Sequence, residues 1–169
     1  MQYYHEVDGN VIDVARAAAA DNQIVYLPHV CNDQGVMGAG VALALKKAFP
    51  LIDTEYRAWC SRLSDLALGR VSYAPVEGGR LIVANMIAQS GFHAGPRPPI
   101  RYGALVTCMR TIADDVTEAW RHSDRSSPVS IIAPRFGAGL AGGDWSIIKQ
   151  LIHETWLDFD IDVTIVNFK

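Results

Sequence analysis

The sequence predicts an α/β protein, a three-layer α/β/α sandwich around a mixed six-stranded sheet. Three observations carry this expectation. Short runs rich in β-branched and aromatic residues alternate with longer stretches of helix formers from one end of the chain to the other. One pair of runs, 70–76 and 80–87, is separated only by Glu77, Gly78 and Gly79, a hairpin turn that adds an antiparallel strand. Half of the 169 residues are hydrophobic, enough to bury one sizeable core, so residues 1–169 are read as one domain.

Each element has its own local signal. Residues 1–7 mix aromatic and polar side chains as a strand does, and Asp8, Gly9 and Asn10 turn the chain. Alanine-rich 13–20 suits a short helix, which Asp21 and Asn22 break before a buried strand at 23–30. A glycine-punctuated loop at 31–40 leads into a helix over 41–49, stopped by Pro50, and a second helix follows over 51–63. After the hairpin, 89–101 holds two glycines and three prolines and is irregular. A helix at 102–120, a polar connector at 121–127, a strand at 128–133, a glycine-rich loop at 135–143, a helix at 144–159 and a strand at 162–168 complete the alternation. Ligands of such a sheet bind beyond the carboxyl ends of its parallel strands.

Composition narrows the function. A net charge of -3, a pI near 5.9 and scattered basic residues lack the footprint of a duplex-binding protein, although backbone dipoles can still bind a small anion. Cys31, Cys60 and Cys108 are odd in number and form neither a CxxC pair nor a zinc-spaced cluster, so a reducing compartment is expected, with no metal and no cofactor. No basic-then-apolar leader opens the chain and no apolar run approaches the ~20 residues of a membrane helix, so a soluble, cytoplasmic protein is expected.

The chemistry concentrates in two strand–glycine loop–helix units, NDQGVMGAGVA at 32–42 and PRFGAGLAGGDW at 134–145. Glycines let the backbone approach a ligand and adopt positive φ, so that successive amides and a helix N-terminus can point at phosphate oxygens. Two such loops at the carboxyl ends of core strands suit a diphosphate. Alone, each is equally readable as a tight turn, since Gly35, Gly38 and Gly40 do not make GxGxxG and neither loop ends in Lys-Ser/Thr.

Taken together, Gly9-Asn10 after the first strand, His29 and Asn32 leading into GVMGAGVA, a helix ending Phe49-Pro50, and the late PRFGAGLAGGDW resemble the macro domain over nearly the whole chain. The likeness is closest to the branch holding ADP-ribose-1''-phosphate phosphatases and terminal ADP-ribose glutamate hydrolases. It implies that ADP-ribose or a 1''-derivative is the ligand, with Asn32 on the distal ribose and Gly35, Val36, Met37, Gly38, Ala39 and Gly40 around that ribose and the proximal diphosphate. Phe136, Gly137, Ala138, Gly139 and Leu140 would close the other side, and Gly9, Asn10 and Val11 would face adenine. Many members carry an acidic residue where Asn10 stands; an asparagine still offers an amide oxygen to the adenine amino group, or simply makes the turn.

One hydrolase branch uses a lysine after the fourth strand and an aspartate in the late loop; this chain has Ala88-Gln89 and Ala141 there, which argues against a lysine adduct. His29 and Asp144 then remain as a catalytic pair resembling the phosphatase branch, the histidine as proton donor or transient phosphoryl acceptor, the carboxylate orienting it or activating water. A core histidine and a helix N-cap are the plain alternatives. Arg135 can reach phosphate or pair on the surface, and His93 and Cys31 are weaker candidates. Three activities share the pocket: phosphatase on ADP-ribose 1''-phosphate; hydrolase on O-acetyl-ADP-ribose or on ADP-ribosylated protein or nucleic acid; and non-catalytic binding.

Overall fold

The computed structural model describes residues 3–63, 68–92, 95–123 and 127–169. Its strands are β1 (Tyr4–Asp8), β2 (Ile24–Asn32), β3 (Val71–Val76), β4 (Leu81–Gln89), β5 (Val129–Pro134) and β6 (Asp162–Asn167). Its helices are α1 (Val11–Ala20), α2 (Gly40–Ala48), α3 (Pro50–Ser61), α4 (Tyr102–His122) and α5 (Trp145–Thr155). The sheet order is β1-β6-β5-β2-β4-β3, with β3 antiparallel to β4 and every other pair parallel. This is the expected mixed six-stranded α/β sheet. Among the described residues no helix is long and apolar enough to cross a membrane.

Strand alternation divides the core into two layers. Val25 and Leu27 face α1, α2 and α3 with Leu45, Ile52 and Tyr56, while Tyr26 faces α4 and α5 with Leu105, Ile148 and Trp156. In α1 the buried residues are Ile12, Ala15 and Ala19, a helical stripe whose small side chains let the helix sit close to the sheet. Pro50 ends α2 and, as the first residue of α3, loses no helical hydrogen bond by lacking an N–H. Asp53 ties α3 to α2 through Lys46 at 3.1 Å and pairs within α3 with Arg57 at 3.0 Å.

Several boundaries differ from the sequence expectation, three of them with a clear physical reason. The first helix starts at Val11 rather than 13, because Asn10 caps it. The second strand runs on to Asn32 along β4. The last long helix ends at Thr155; Trp156 leaves helical geometry (φ −122°), and a short 3₁₀ turn, Leu157–Phe159, reaches a left-handed Asp160 before β6.

One residue shapes the centre of the sheet. Ile24 donates its N–H to Pro128 in front of β5 (2.9 Å), and Val25 donates to Arg80 in front of β4 (2.8 Å), so alternate residues of β2 serve opposite neighbours. Pro28 has the parity of Ile24 and no N–H, so the next rung toward β5 cannot form. The β2–β5 register accordingly stops at Tyr26↔Ile131, whereas β2–β4 continues to Asn32↔Gln89. Beyond Tyr26 the two central strands part, and their loops leave in opposite directions, one to α2 on the β4 side and one to α5 and β6.

Trp156 locks the layer beneath the second loop: fully buried, it donates Nε1–H to the Met109 carbonyl of α4 at 2.9 Å and packs 5.6 Å from the Phe136 ring. Trp156→Phe, which strands that carbonyl and shrinks the side chain, is expected to lower the unfolding free energy by about 2 kcal/mol or more, read by urea denaturation.

Candidate functional site

A cavity of about 570 Å³ opens where β2 and β5 part, within the range of small-molecule sites. The first loop on it is held by its own asparagine. Asn32 Oδ1 accepts from the Gln34 and Val36 amides (3.0 and 3.3 Å), and Nδ2 donates to the Val36 carbonyl (2.8 Å). Gly35 turns at φ +72°, Met37 is buried in the core below, and Gly40 opens α2 at φ +57°. No side chain caps α2, and among the described residues the amides of Gly38, Ala39, Gly40, Val41 and Ala42 donate to no protein acceptor. By contrast, α1 is capped by Asn10 and α5 by Asp144. An uncapped N-terminus on a cavity is an anion site in waiting, since the helix dipole and free N–H groups point at it together.

The second loop faces it. Phe136 is wedged between Trp145 and Trp156, centroids 6.2 and 5.6 Å away. Gly137 turns at φ +74° and its carbonyl accepts from Gly143 N (2.8 Å); a Cβ on Gly143 would stand 2.5 Å from that oxygen, so only glycine fits there. The amides of Gly137, Ala138, Gly139 and Leu140 also lack protein acceptors among the described residues. Leu140 reaches across to the first loop, its Cδ1 3.4 Å from where a Gly40 Cβ would be. Gly38 has neither a positive φ nor a crowded Cβ position, so its glycine keeps the wall open rather than permitting the turn.

Of the residues singled out in the sequence, the cavity brings together His29, Asn32, Val36, Gly38, Ala39 and Gly40 from the first unit, and Phe136, Gly137, Gly139 and Leu140 from the second. Gly35, Met37 and Ala138 shape the loops without lining it. Gly9, Asn10 and Val11 sit at the end of β1, outside its lining, and the Asn10 oxygen is spent on the Ile12 and Asp13 amides (2.9 and 3.4 Å). Sequence reasoning missed the cavity roles of Gln89, at the end of β4, and half-exposed Phe92. The β2–β4 pairing that brings Gln89 beside Asn32 is a long-range contact with no local signature.

His29 is 2% exposed, and its Nε2 lies 2.6 Å from Asn85 Oδ1. Asn85 Nδ2 in turn donates to Ser72 Oγ at 3.1 Å, which orients the amide and makes the imidazole the Nε2–H tautomer. The three are direct register partners across β2, β4 and β3. Burial lowers the His29 pKa to about 4 although the Asn85 bond opposes this, so the ring is neutral with Nδ1 as its acceptor; among the described residues only the Cys31 thiol, 3.8 Å away, approaches that atom.

Asp144 is exposed and does not line the cavity. Its carboxylate accepts from Ser146 N (2.8 Å) and Oγ (2.6 Å), the capping geometry. Burial pushes the Cys31 thiol far up, which removes it as a nucleophile. Arg135 stands on the cavity rim, stacked 5.4 Å over Trp145 and 3.8 Å from Glu6. Hydrogen bonds from Lys149 (2.8 Å) and Tyr4 (2.7 Å) already occupy that carboxylate and bring its pKa to about 2. His93 lies outside the described residues.

Two glycine loops at the switch point of a mostly parallel sheet, one of them running into a bare helix N-terminus, define an α/β domain built for a phosphate-bearing ligand. No family model matches the chain. An ADP-ribose 1''-phosphate phosphatase of Aspergillus clavatus is 39% identical over 202 aligned residues, covering 96% of this chain and 92% of that protein. A Candida albicans protein of the same name is 25% identical over 130 residues, 77% of this chain and 81% of its own. The solved macrodomain protein of Streptomyces coelicolor superimposes with a TM-score of 0.74 at 33% identity, covering 96% of this chain and 97% of that one. The chain belongs to the macrodomain family.

The buried imidazole makes stability pH-dependent. Its folded pKa of about 4 lies below the ~6.5 of an unfolded histidine, so between these values the unfolded chain binds more protons and stability falls as the pH drops. The full shift is worth about 3 kcal/mol. In urea denaturation at pH 7 and pH 4.5, His29→Gln is expected to lose most of the acid destabilisation that the parent protein shows; an unchanged pH dependence would assign it to other groups.

Proposed function

We propose that this protein binds ADP-ribose in the cavity between the two loops and removes the phosphate from ADP-ribose 1''-phosphate. The observation that carries this reading is the bare N-terminus of α2 facing the free amides of 137–140 across one cavity. The diphosphate would lie between these two sets of donors, with Gly35, Gly38 and Gly40 along one side and Phe136 to Leu140 along the other. Asn32 holds its loop in shape beside the distal ribose, and Gly9, Asn10 and Val11 stand toward adenine at the end of β1. The curated phosphatases named above support the choice of substrate.

For the chemical step, His29 is the group with suitable chemistry: neutral at pH 7 and on the cavity, it would take the proton of a water attacking phosphorus and return it to the 1''-oxygen as the bond from that oxygen to phosphorus breaks. The loop amides would stabilise charge on the transferring phosphoryl group. In this reading Asp144 acts by capping α5, and the first-drawn pair reduces to one ionisable partner. Gln89 at the end of β4 supports phosphate release over a lysine-based removal of ADP-ribose. A cytoplasmic location belongs to the same reading, supported by three free cysteines.

Titration calorimetry is expected to give micromolar affinity for ADP-ribose and much weaker binding of AMP; equal affinities would remove the distal half of the site. With ADP-ribose 1''-phosphate as substrate, His29→Ala is expected to slow phosphate release at least ~100-fold with ADP-ribose binding little changed. Asp144→Ala should cost about 1 kcal/mol of stability and leave the rate within a few-fold. A large loss of rate in Asp144→Ala would restore the pair, and full activity in His29→Ala would leave catalysis to water held by the loops.

A further inference from the structure

Behind the first cavity, between α3 and the β3–β4 edge of the sheet, lies a second cavity of about 250 Å³. Its floor is the far end of the polar row that begins at His29: Asn85, 1% exposed, and Ser72, 7% exposed. Both present hydrogen-bond donors that the protein does not use. Ser72 Oγ accepts from Asn85 Nδ2, and its own hydroxyl hydrogen has no acceptor among the described residues; the second Nδ2 hydrogen of Asn85 is likewise undonated. Buried donors of this kind cost free energy unless something accepts from them. The walls are aromatic, with Tyr56 and Trp59 stacked at 6.1 Å, and the guanidinium of Arg62 stands exposed on the rim without an ion pair among the described residues. Glu55 is also on the rim, but solvent screens it, whereas the floor donors are desolvated.

Two buried neutral donors below and one cation above make a site for hydrogen-bond acceptors of negative charge. We propose that this cavity is a second binding site, for a small oxyanion whose oxygens take the Ser72 hydroxyl and Asn85 amide while Arg62 balances its charge. The site is separate from the first cavity and shares with it only the Asn85–His29 hydrogen bond. A carboxylate and a phosphate present the same acceptor chemistry, and the volume admits either.

The test uses ¹⁵N-labelled full-length protein with the first cavity filled by saturating ADP-ribose, titrated at constant ionic strength with acetate and, separately, with inorganic phosphate. The Asn85 side-chain amide and the Trp59 indole N–H are followed by NMR. Saturable shifts with either anion, weakened at least tenfold by Ser72→Ala and by Arg62→Gln, are the expected result, and the arm that saturates identifies the class. Arg62 is exposed, so Arg62→Gln keeps the test readable if Ser72→Ala fails to fold. Absent shifts, shifts linear in concentration, or shifts equal in parent and variants would overturn the proposal and leave a cavity that holds water only. The titration reads the same way without ADP-ribose, so failure of the first-cavity reading would not be mistaken for failure here.

Discussion

The missing N–H of Pro28 is the constraint on which the site depends. A parallel strand in the middle of a sheet normally bonds both neighbours along its length, and a proline there removes one ladder bond outright. In β2 the lost bond is the one that would zip the strand to β5 past Tyr26. The remaining residues of β2 follow β4, the remaining residues of β5 follow β6, and the gap between them becomes the floor of the cavity. A proline elsewhere in the sheet would weaken it; here the broken rung falls where the topology already sends the two loops apart.

Around that gap the protein allots its helix caps unevenly. Asn10 and Asp144 spend their side-chain oxygens on the first turns of α1 and α5, while α2 begins at a glycine with no side chain to receive its amides. Across the cavity the second loop also leaves its amides without protein acceptors among the described residues, and it is held by the Gly143–Gly137 backbone contact, the Phe136 wedge and Trp156 beneath. Positive potential at the site is thus supplied by fixed dipoles and by Arg135 on the rim, which reconciles anion binding with a net charge of -3.

Under α2 and α3 three buried polar side chains, His29, Asn85 and Ser72, form a row aligned by register across three strands. A row of polar groups inside a core costs stability unless its members satisfy one another. The first two do so, at 2.6 Å; the bond fixes the tautomer of the imidazole, while burial keeps it neutral. The third leaves a donor over at the far end. The same row therefore touches two cavities, with His29 on the first and Asn85 and Ser72 on the second.

Much of this was legible in the chain. Alternating runs and the Glu77-Gly78-Gly79 turn determined the α/β class and the antiparallel edge, and the glycine spacing marked the two loops that come together on one cavity, because each rests on local propensity and spacing. The roles of individual side chains were not legible. Asn10, Asn32 and Asp144 are the residue types that both bind ligands and cap backbone, and only the folded geometry shows their oxygens committed to neighbouring amides. Pro28 reads in sequence as a blemish in a strand, since which neighbour loses the bond depends on strand order. His29 and Asn85 are 56 residues apart and Asn85 and Ser72 are 13 apart, and their partnership is set by the register of three strands. Sequence by itself determined which elements form and where the backbone can open to an anion; tertiary structure alone decided which polar atoms remain unspent, because that depends on every partner the fold brings within reach.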